Sequence, residues 1–469
     1  MSAKQTDFSK GSVSRAVLEV GLPLTVAQLL NLLYNIVDRI YIGRIPGAGA
    51  IALTGVGLCF PIILIVNAFS SLYATGGSPL ATIMRGKGNN EEAHSILGTC
   101  FVMLVGTGLV LTVLGLALHQ PILYLFGASD ATFPYARDYI TIYLFGSVAV
   151  MITLGMNPFI NSQGFPKMGM LTVLLGAVTN IILDPIFIFT LGMGVRGAAL
   201  ATVLSQLLSC VWVLRFLTSQ RAVLRLRRRD FRVQSARLFK IVSLGLTGFV
   251  MQVTNSLVQI ACNTTLQTFG GDIYVGVMTV LNSVREIFTL PVMGLVNGSS
   301  PVISYNYGAG LYPRVKQAIR FTFTVTAAYT LVAWGVVYLF PAFFINIFNN
   351  DAELVSRAVP ALRIYFFAFV FMAMQFVGQT SFVALGKSKQ AVFFSIFRKV
   401  VIVVPLTLLL PRLTGLGVNG VFVAEPISNV IGGSLCFFTM LATVMPELRR
   451  LQAEKDAAAP GAPQQPAEE

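Results

Sequence analysis

One carboxylate, Asp184, stands in the otherwise apolar stretch Thr172–Phe189, TVLLGAVTNIILDPIFIF. The stretch is long enough to cross a bilayer. A charge at that depth costs at least about 3 kcal/mol, so it persists only with a partner or a task. Asn180 lies one helical turn back on the same face. Pro185 follows directly, removes a backbone N–H and loosens the turn that would otherwise tie off nearby carbonyls. A carboxylate, an amide and an interrupted helix inside a membrane have the makings of a cation site.

A second carboxylate closes a polar stripe nearer the N-terminus. Gln28, Asn31, Asn35 and Asp38 fall at spacings of 3, 4 and 3, which is one helical face. Asp38 precedes Arg44 by six residues and Asp184 precedes Gly192 by eight. At about 1.5 Å per residue both lie roughly 9–12 Å below the same boundary. Thr202, Tyr139 and Tyr143 reach a similar depth. Two carboxylates, an amide, a hydroxyl and a phenol are hard oxygen ligands, suited to Na⁺ or to a proton shared between carboxylates. The plainer alternative is two carboxylates satisfied separately by neighbouring hydroxyls.

The C-terminal half carries its own intramembrane charges, Glu286 beside Arg285 and Glu425 beside Pro426. Arg398 and Lys399 lie at about the depth of Glu286, and a structural ion pair there is the expected arrangement. A second coupling or substrate-cation site at Glu286 and Glu425 is the sharper alternative.

The elements that position these groups follow from composition. Of 469 residues, 55% are hydrophobic and only 11% charged, against about 25% charged in a soluble domain. Mean hydropathy is +0.76. The chain is therefore an all-α polytopic membrane protein. Apolar windows predict twelve spans: 17–42, 52–79, 95–118, 135–158, 168–190, 197–217, 240–264, 274–299, 317–340, 357–381, 390–410 and 419–443. The first sixteen residues are polar, so no signal peptide is expected there. The five cysteines all fall in apolar segments and read as small core residues rather than a disulfide framework.

The net charge of +14 does not point to nucleic acid, because lysine and arginine concentrate in alternate loops and in the run 221–240. That placement puts both termini in the cytoplasm of a cell whose plasma (inner) membrane holds the chain. The basic run then reads as a linker that sets orientation, ahead of a lipid-headgroup patch. The expected organisation is an N-terminal segment 1–16, a six-helix lobe 17–217, a linker 218–239, a second lobe 240–445 and a disordered tail 446–469.

The halves repeat. GGSPLATIMRGKG at 76–88 corresponds to GSSPVISYNYGAG at 298–310, a shift of 222, and Gly164 and Lys167 fall on Gly386 and Lys389. GVRGAALATVLSQ at 194–206 matches GVNGVFVAEPISN at 417–429, a shift of 223. An even number of spans per half gives two six-helix bundles related by a pseudo-two-fold axis along the membrane normal, with a cleft between them. The stripe of the first span recurs as Gln252, Asn255 and Gln259, but Cys262 takes the place of Asp38, and nothing acidic answers Asp184 near Pro405. Glu425 occupies the position of Thr202. The cleft's candidate polar contacts are Asn31, Asn35, Asn157, Asn161, Gln252 and Gln375. Met151, Met156 and Met293 offer adaptable apolar surface. There is no phosphate-binding G-x-x-x-x-G-K-[ST], no histidine in a span interior and no G-x-S-x-G, so an ion gradient is the expected energy source.

PLTVAQLLNLLYNIVDRIYIGR around Pro23 and Asp38, the GSP and RGKG segments and NIILDPIFI together resemble the multidrug and toxic compound extrusion (MATE) transporters, most of all their bacterial MepA-like branch. The resemblance spans residues 11–445. It implies two bundles in a V, alternating access, and export of cationic amphipathic drugs against inward H⁺ or Na⁺. It also implies a cation site at Asp38, Asn180, Asp184 and Thr202 with Tyr139 or Tyr143, and a bend of the first span at Pro23. No cofactor beyond the coupling ion is expected, and the chain is expected to act as a monomer among membrane lipids. A flippase for a lipid-linked precursor shares the duplicated architecture, but would want fourteen spans and a strongly cationic midplane cavity. A membrane enzyme would want a reactive cluster.

Overall fold

The computed structural model describes residues 5–348, 351–413 and 415–458. Twelve apolar helical spans run through the described residues: α1 (Val13–Gly43), α2 (Ile51–Gly86), α3 (Asn90–Leu125), α4 (Phe133–Ser162), α5 (Pro166–Thr190), α6 (Val195–Thr218), α7 (Ser235–Gly270), α8 (Asp272–Gly308), α9 (Tyr312–Leu339), α10 (Ala352–Phe366 with Phe369–Ala384), α11 (Ser388–Leu413) and α12 (Val418–Ala457). The two pieces of α10 meet at 45°. The first six and last six form two lobes. Their equivalent turns carry glycines in the same left-handed conformation: Gly164 at φ 90° and Gly386 at 72°, Gly194 at 55° and Gly417 at 52°. A side chain is strained there, so the duplication is visible in backbone geometry as well as in residue type.

Two prolines directly follow intramembrane carboxylates, a third lies six residues beyond Lys399, and a π-helical stretch accompanies each. A π-helical stretch, Ile186–Thr190, follows Asp184–Pro185. Another, Asn429–Gly433, follows Glu425–Pro426. A third, Phe397–Val403, contains Arg398 and Lys399 and precedes Pro405. Proline cannot donate the i→i−4 bond, and a wider turn re-satisfies the freed carbonyls.

The first helix of each lobe begins against the other lobe. Val13, Ala16, Val17 and Val20 of α1 are buried in a cluster with Val292, Val296 and Phe382 of the C-terminal half, whereas Ile42 joins the N-terminal core. Ile241 of α7 likewise packs into the N-terminal core while Cys262 lies in a C-terminal cluster. The expected lobe boundary at residue 17 is thus crossed by α1 itself. The crossing backbones touch. A Cβ at Gly76 would lie 2.0 Å from the Ile241 carbonyl oxygen, and one at Gly245 would lie 1.8 Å from that of Leu72. Glycine is what permits such an approach between membrane helices. Towards the opposite end α1 and α7 carry exposed apolar residues, including Leu33, Ile36, Leu257 and Ile260. The lobes therefore join near the end that holds the chain termini and part towards the other.

Residues 5–11 strap that joined end. The Thr6 N–H donates to the Gly164 carbonyl at 2.8 Å and Gln5 donates to that of Gln163 at 3.0 Å, both on the first lobe. On the second lobe Asn306 donates to the Phe8 carbonyl at 3.0 Å and Arg314 to that of Gly11 at 2.9 Å. Arg85 stacks over Phe8 and Tyr305, 5.5 and 4.8 Å from the ring centroids. Within the strap, hydrogen bonds from Ser9 hold the Asp7 carboxyl below its ordinary range. The basic linker is docked as well: Arg237 pairs with Glu92 at 2.9 Å and Arg229 with Glu91 at 2.9 Å. At the other terminus the expectation of disorder from residue 446 is corrected. α12 continues to Ala457, supported by Lys455 donating to the Gly310 carbonyl at 3.0 Å and an Arg450–Glu454 pair at 3.4 Å. Residues 459–469 lie outside the described residues.

Gly245→Val should lower stability by about 1–3 kcal/mol, the usual penalty of overpacking. Gly106→Val, where a Cβ meets nothing within 4 Å, should stay close to the parent. Thermal unfolding of the detergent-solubilised protein checks both.

Candidate functional site

α1, α4, α5 and α6 converge on one buried polar pocket in the first lobe. Asp184, on the last α-helical turn before the π-helical stretch of α5, is fully buried, as is Asn180 one turn earlier. The Asn180 amide donates to Asp184 Oδ1 and to Thr202 Oγ1 of α6, each at 3.4 Å. The Asp38 carboxyl reaches in from α1 to hydrogen-bonding distance of that of Asp184. Two carboxyl oxygens can hold that contact only with a proton or another cation between them. Tyr139 and Tyr143 of α4 stack along one wall, ring centroids 6.4 Å apart at an interplanar angle of 12°, and both are buried. Three buried oxygens have no hydrogen-bond partner: Asp38 Oδ1, Asp184 Oδ2 and Asn180 Oδ1. Unpaired oxygen acceptors are the ligands a hard cation takes.

Of the six residues singled out from depth and spacing, hydrogen bonds bring Asn180, Asp184 and Thr202 together, Asp38 lies beside Asp184, and Tyr139 and Tyr143 stack on each other on α4. Tyr34 was missed. It lies near Thr202, Tyr143 and the two aspartates. The signal was available, since Tyr34 precedes Asp38 by four residues, but an aromatic ring on an apolar span reads as packing.

The cleft residues divide. Asn31, Gln252 and Met293 are partly exposed and Asn35 is exposed. Asn157 instead donates to the Gly169 carbonyl at 3.2 Å, and buried Asn161 packs against the same glycine. Both tie α4 to α5, where glycine leaves room for an amide. Gln375 is buried inside the second lobe and donates to Gln379 at 2.8 Å. Asn161 and Gln375 are thus buried, whereas Asn157 keeps a partly exposed surface. Met151 and Met156 are fully buried in the first lobe's core.

The expected ion pair at Glu286 is corrected. Glu286 is exposed and makes no salt bridge among the described residues. Its neighbour Arg285 turns inward instead, because successive residues on a helix point about 100° apart. Glu425 of α12 is the carboxylate that the cations share. Its Oε1 accepts from Arg398, from Arg285 at 3.1 Å and from Lys399 at 3.5 Å. Arg398 also donates to Ser428 at 3.1 Å, and Arg285 lies over the Tyr365 ring, 5.7 Å from its centroid. This knot occupies the place of the first lobe's pocket under the repeat: Cys262 for Asp38, Thr407 for Asp184, Glu425 for Thr202 and Tyr365 for Tyr143. The Cys262 sulfur and the Thr407 hydroxyl approach to 3.9 Å. Among the described residues no group of three or more His, Cys, Asp or Glu side chains could hold a metal, and all five cysteines are free and buried.

Comparison with known proteins agrees with this architecture. The family model described as MatE matches residues 23–186 and 249–409. The multidrug export protein MepA of Staphylococcus haemolyticus is 25% identical over 448 residues, 96% of this chain and 97% of that protein. MepA of Staphylococcus aureus is 22% identical over 437 residues, 93% of this chain and 94% of its own. A solved multidrug resistance MATE family transporter of the MOP superfamily, in an outward-facing conformation, superposes with a TM-score of 0.88 at 23% identity, over 96% of this chain and 99% of that one. A MATE structure described as the bent conformation gives 0.89 at 24% identity, covering 96% and 100%.

Glu425→Gln leaves three buried cations with no carboxylate and should cost about 3–5 kcal/mol of stability. Glu286→Gln should change stability by less than about 0.5 kcal/mol. Thermal melts of both variants side by side would separate the two roles.

Proposed function

The chain belongs to the MatE family, and on that premise we propose that it is a secondary active multidrug exporter, exchanging cationic amphipathic drugs for inward H⁺ or Na⁺. The observation that carries this reading is the shared pocket of Asp38 and Asp184, set across two helices of the first lobe with three unpaired oxygens around it. The coupling ion is a substrate here, held by Asp38, Asp184, Asn180 and Thr202 with Tyr34, Tyr139 and Tyr143 as the wall.

The proposed mechanism is alternating access. Lysine and arginine gather at the joined, strapped end, so that end faces the cytoplasm and the parted lobes open outward. A cation entering from outside settles between Asp38 and Asp184 and removes their mutual repulsion, which favours the arrangement drawing α1 towards α5. Pro23 lies between the part of α1 buried in the second lobe, ending near Val20, and the part carrying Tyr34 and Asp38. Its missing N–H makes that junction the softest point of the helix, and a bend there moves Asp38 while the seal at Val13–Val20 stays fixed. Asn31, Asn35, Gln252 and Met293 are the proposed drug contacts. The chain carries out this cycle as a monomer within the plasma membrane. Twelve spans among the described residues, with this acidic pocket, favour an exporter over a flippase.

Asp38→Asn and Asp184→Asn should each reduce ethidium extrusion to background with normal expression and melting. Unchanged extrusion in both variants sinks the coupling role. Proteoliposomes given a pH gradient or a Na⁺ gradient alone identify the ion: drug uptake should follow one gradient and ignore the other.

A further inference from the structure

We propose that the second lobe binds a small monovalent anion of chloride size, in the cavity bounded by α7, α8, α11 and α12. This goes beyond the exporter reading and does not rest on it.

The cavity encloses about 30 Å³ and is lined by Arg285, Lys399 and Glu425 together with Asn255, Asn282 and Thr407. That space accommodates water or a monatomic ion. Its charge balance is one-sided. Arg285, Arg398 and Lys399 meet a single carboxylate, and all three contact the same oxygen, Glu425 Oε1. Glu286, next to Arg285 in sequence, is exposed and makes no salt bridge among the described residues. Surplus positive charge is thus held within the membrane spans, with Arg398 and Lys399 largely buried and Arg285 partly so, an arrangement that calls for a compensating anion or a function.

The three cations are not equally committed. Arg398, 7% exposed, has Ser428 as a second acceptor. Among the described residues Lys399 has only the 3.5 Å contact to Glu425, and Arg285 only its 3.1 Å bond and the Tyr365 ring. Both line the cavity, so their remaining N–H donors are available to a ligand there. The Thr407 hydroxyl and the Asn255 amide add neutral donors to the wall. Donors of this kind, with no metal ligand set, select a halide-like anion rather than a cation. The cavity is the repeat-related counterpart of the acidic pocket in the first lobe, so one scaffold position carries opposite charge in the two lobes.

The test is equilibrium binding of ³⁶Cl⁻ to the purified full-length protein in gluconate buffer. Saturable binding that bromide displaces is expected. Arg285→Gln and Lys399→Gln should each weaken it by about tenfold or more, while Lys399→Arg keeps it. Absence of saturable binding by the parent protein overturns the proposal. So does binding that neither glutamine variant weakens, which places the ion elsewhere.

Discussion

The whole architecture answers to the cost of holding charge where water is excluded. Asp38 and Asp184 can approach one another only if a proton or cation lies between them, and α1 and α5 bring them together. That contact ties the helix spanning both lobes to the most sharply interrupted helix of the first. Whatever neutralises the pair therefore acts on the relation between α1 and its lobe, the relation that separates a parted cleft from a closed one.

For such a local event to matter, the other end must be firm. Gly76 against Ile241, and Gly245 against Leu72, bring helix backbones from different lobes into direct contact. Residues 5–11 then bridge Gly164 on one lobe and Arg314 on the other. The strap's hydrogen bonds go mostly to its own backbone carbonyls, so it needs a defined path more than particular side chains. Small residues and a backbone strap seal the joined end, which leaves bulky and polar side chains for the parted end.

Much of this was legible in the sequence. Apolar windows located the spans within a few residues at most ends, because backbone satisfaction in lipid forces a helix wherever about twenty apolar residues run together. Counting residues inward from loops placed Asp38, Asp184, Thr202 and the tyrosines at one depth, and a fixed rise per residue made that arithmetic reliable. Rotation about the helix axis was harder to read. Arg285 and Glu286 are neighbours in the chain, and which of them faces inward is decided by α10, α11 and α12, more than seventy residues away in sequence. The burial of Asn161 was hard to read for the same reason, since its packing against Gly169 on the next helix is not visible along α4. Tyr34 shows a different failure, because its ring obeys the apolar pattern while its hydroxyl serves the pocket.

The two lobes show what duplication conserves and what it releases. Turn glycines, proline-linked π-helical stretches and the crossing of each first helix recur, because these set the path of the backbone. The side chains at the corresponding pocket do not recur. Where the first lobe has two carboxylates in contact, the second has Cys262 and Thr407 at 3.9 Å, neither charged. Where the first has the hydroxyl of Thr202, the second has Glu425 beneath three cations. A buried charge cannot be exchanged for its opposite singly, because its partners would be left uncompensated in a medium that penalises them. The first lobe's acidic pair and the second lobe's cationic knot must therefore each have arisen as a set. Their coexistence gives the cleft between them a field running from one lobe to the other, acidic on the side of α1 and α5 and basic on the side of α8 and α11.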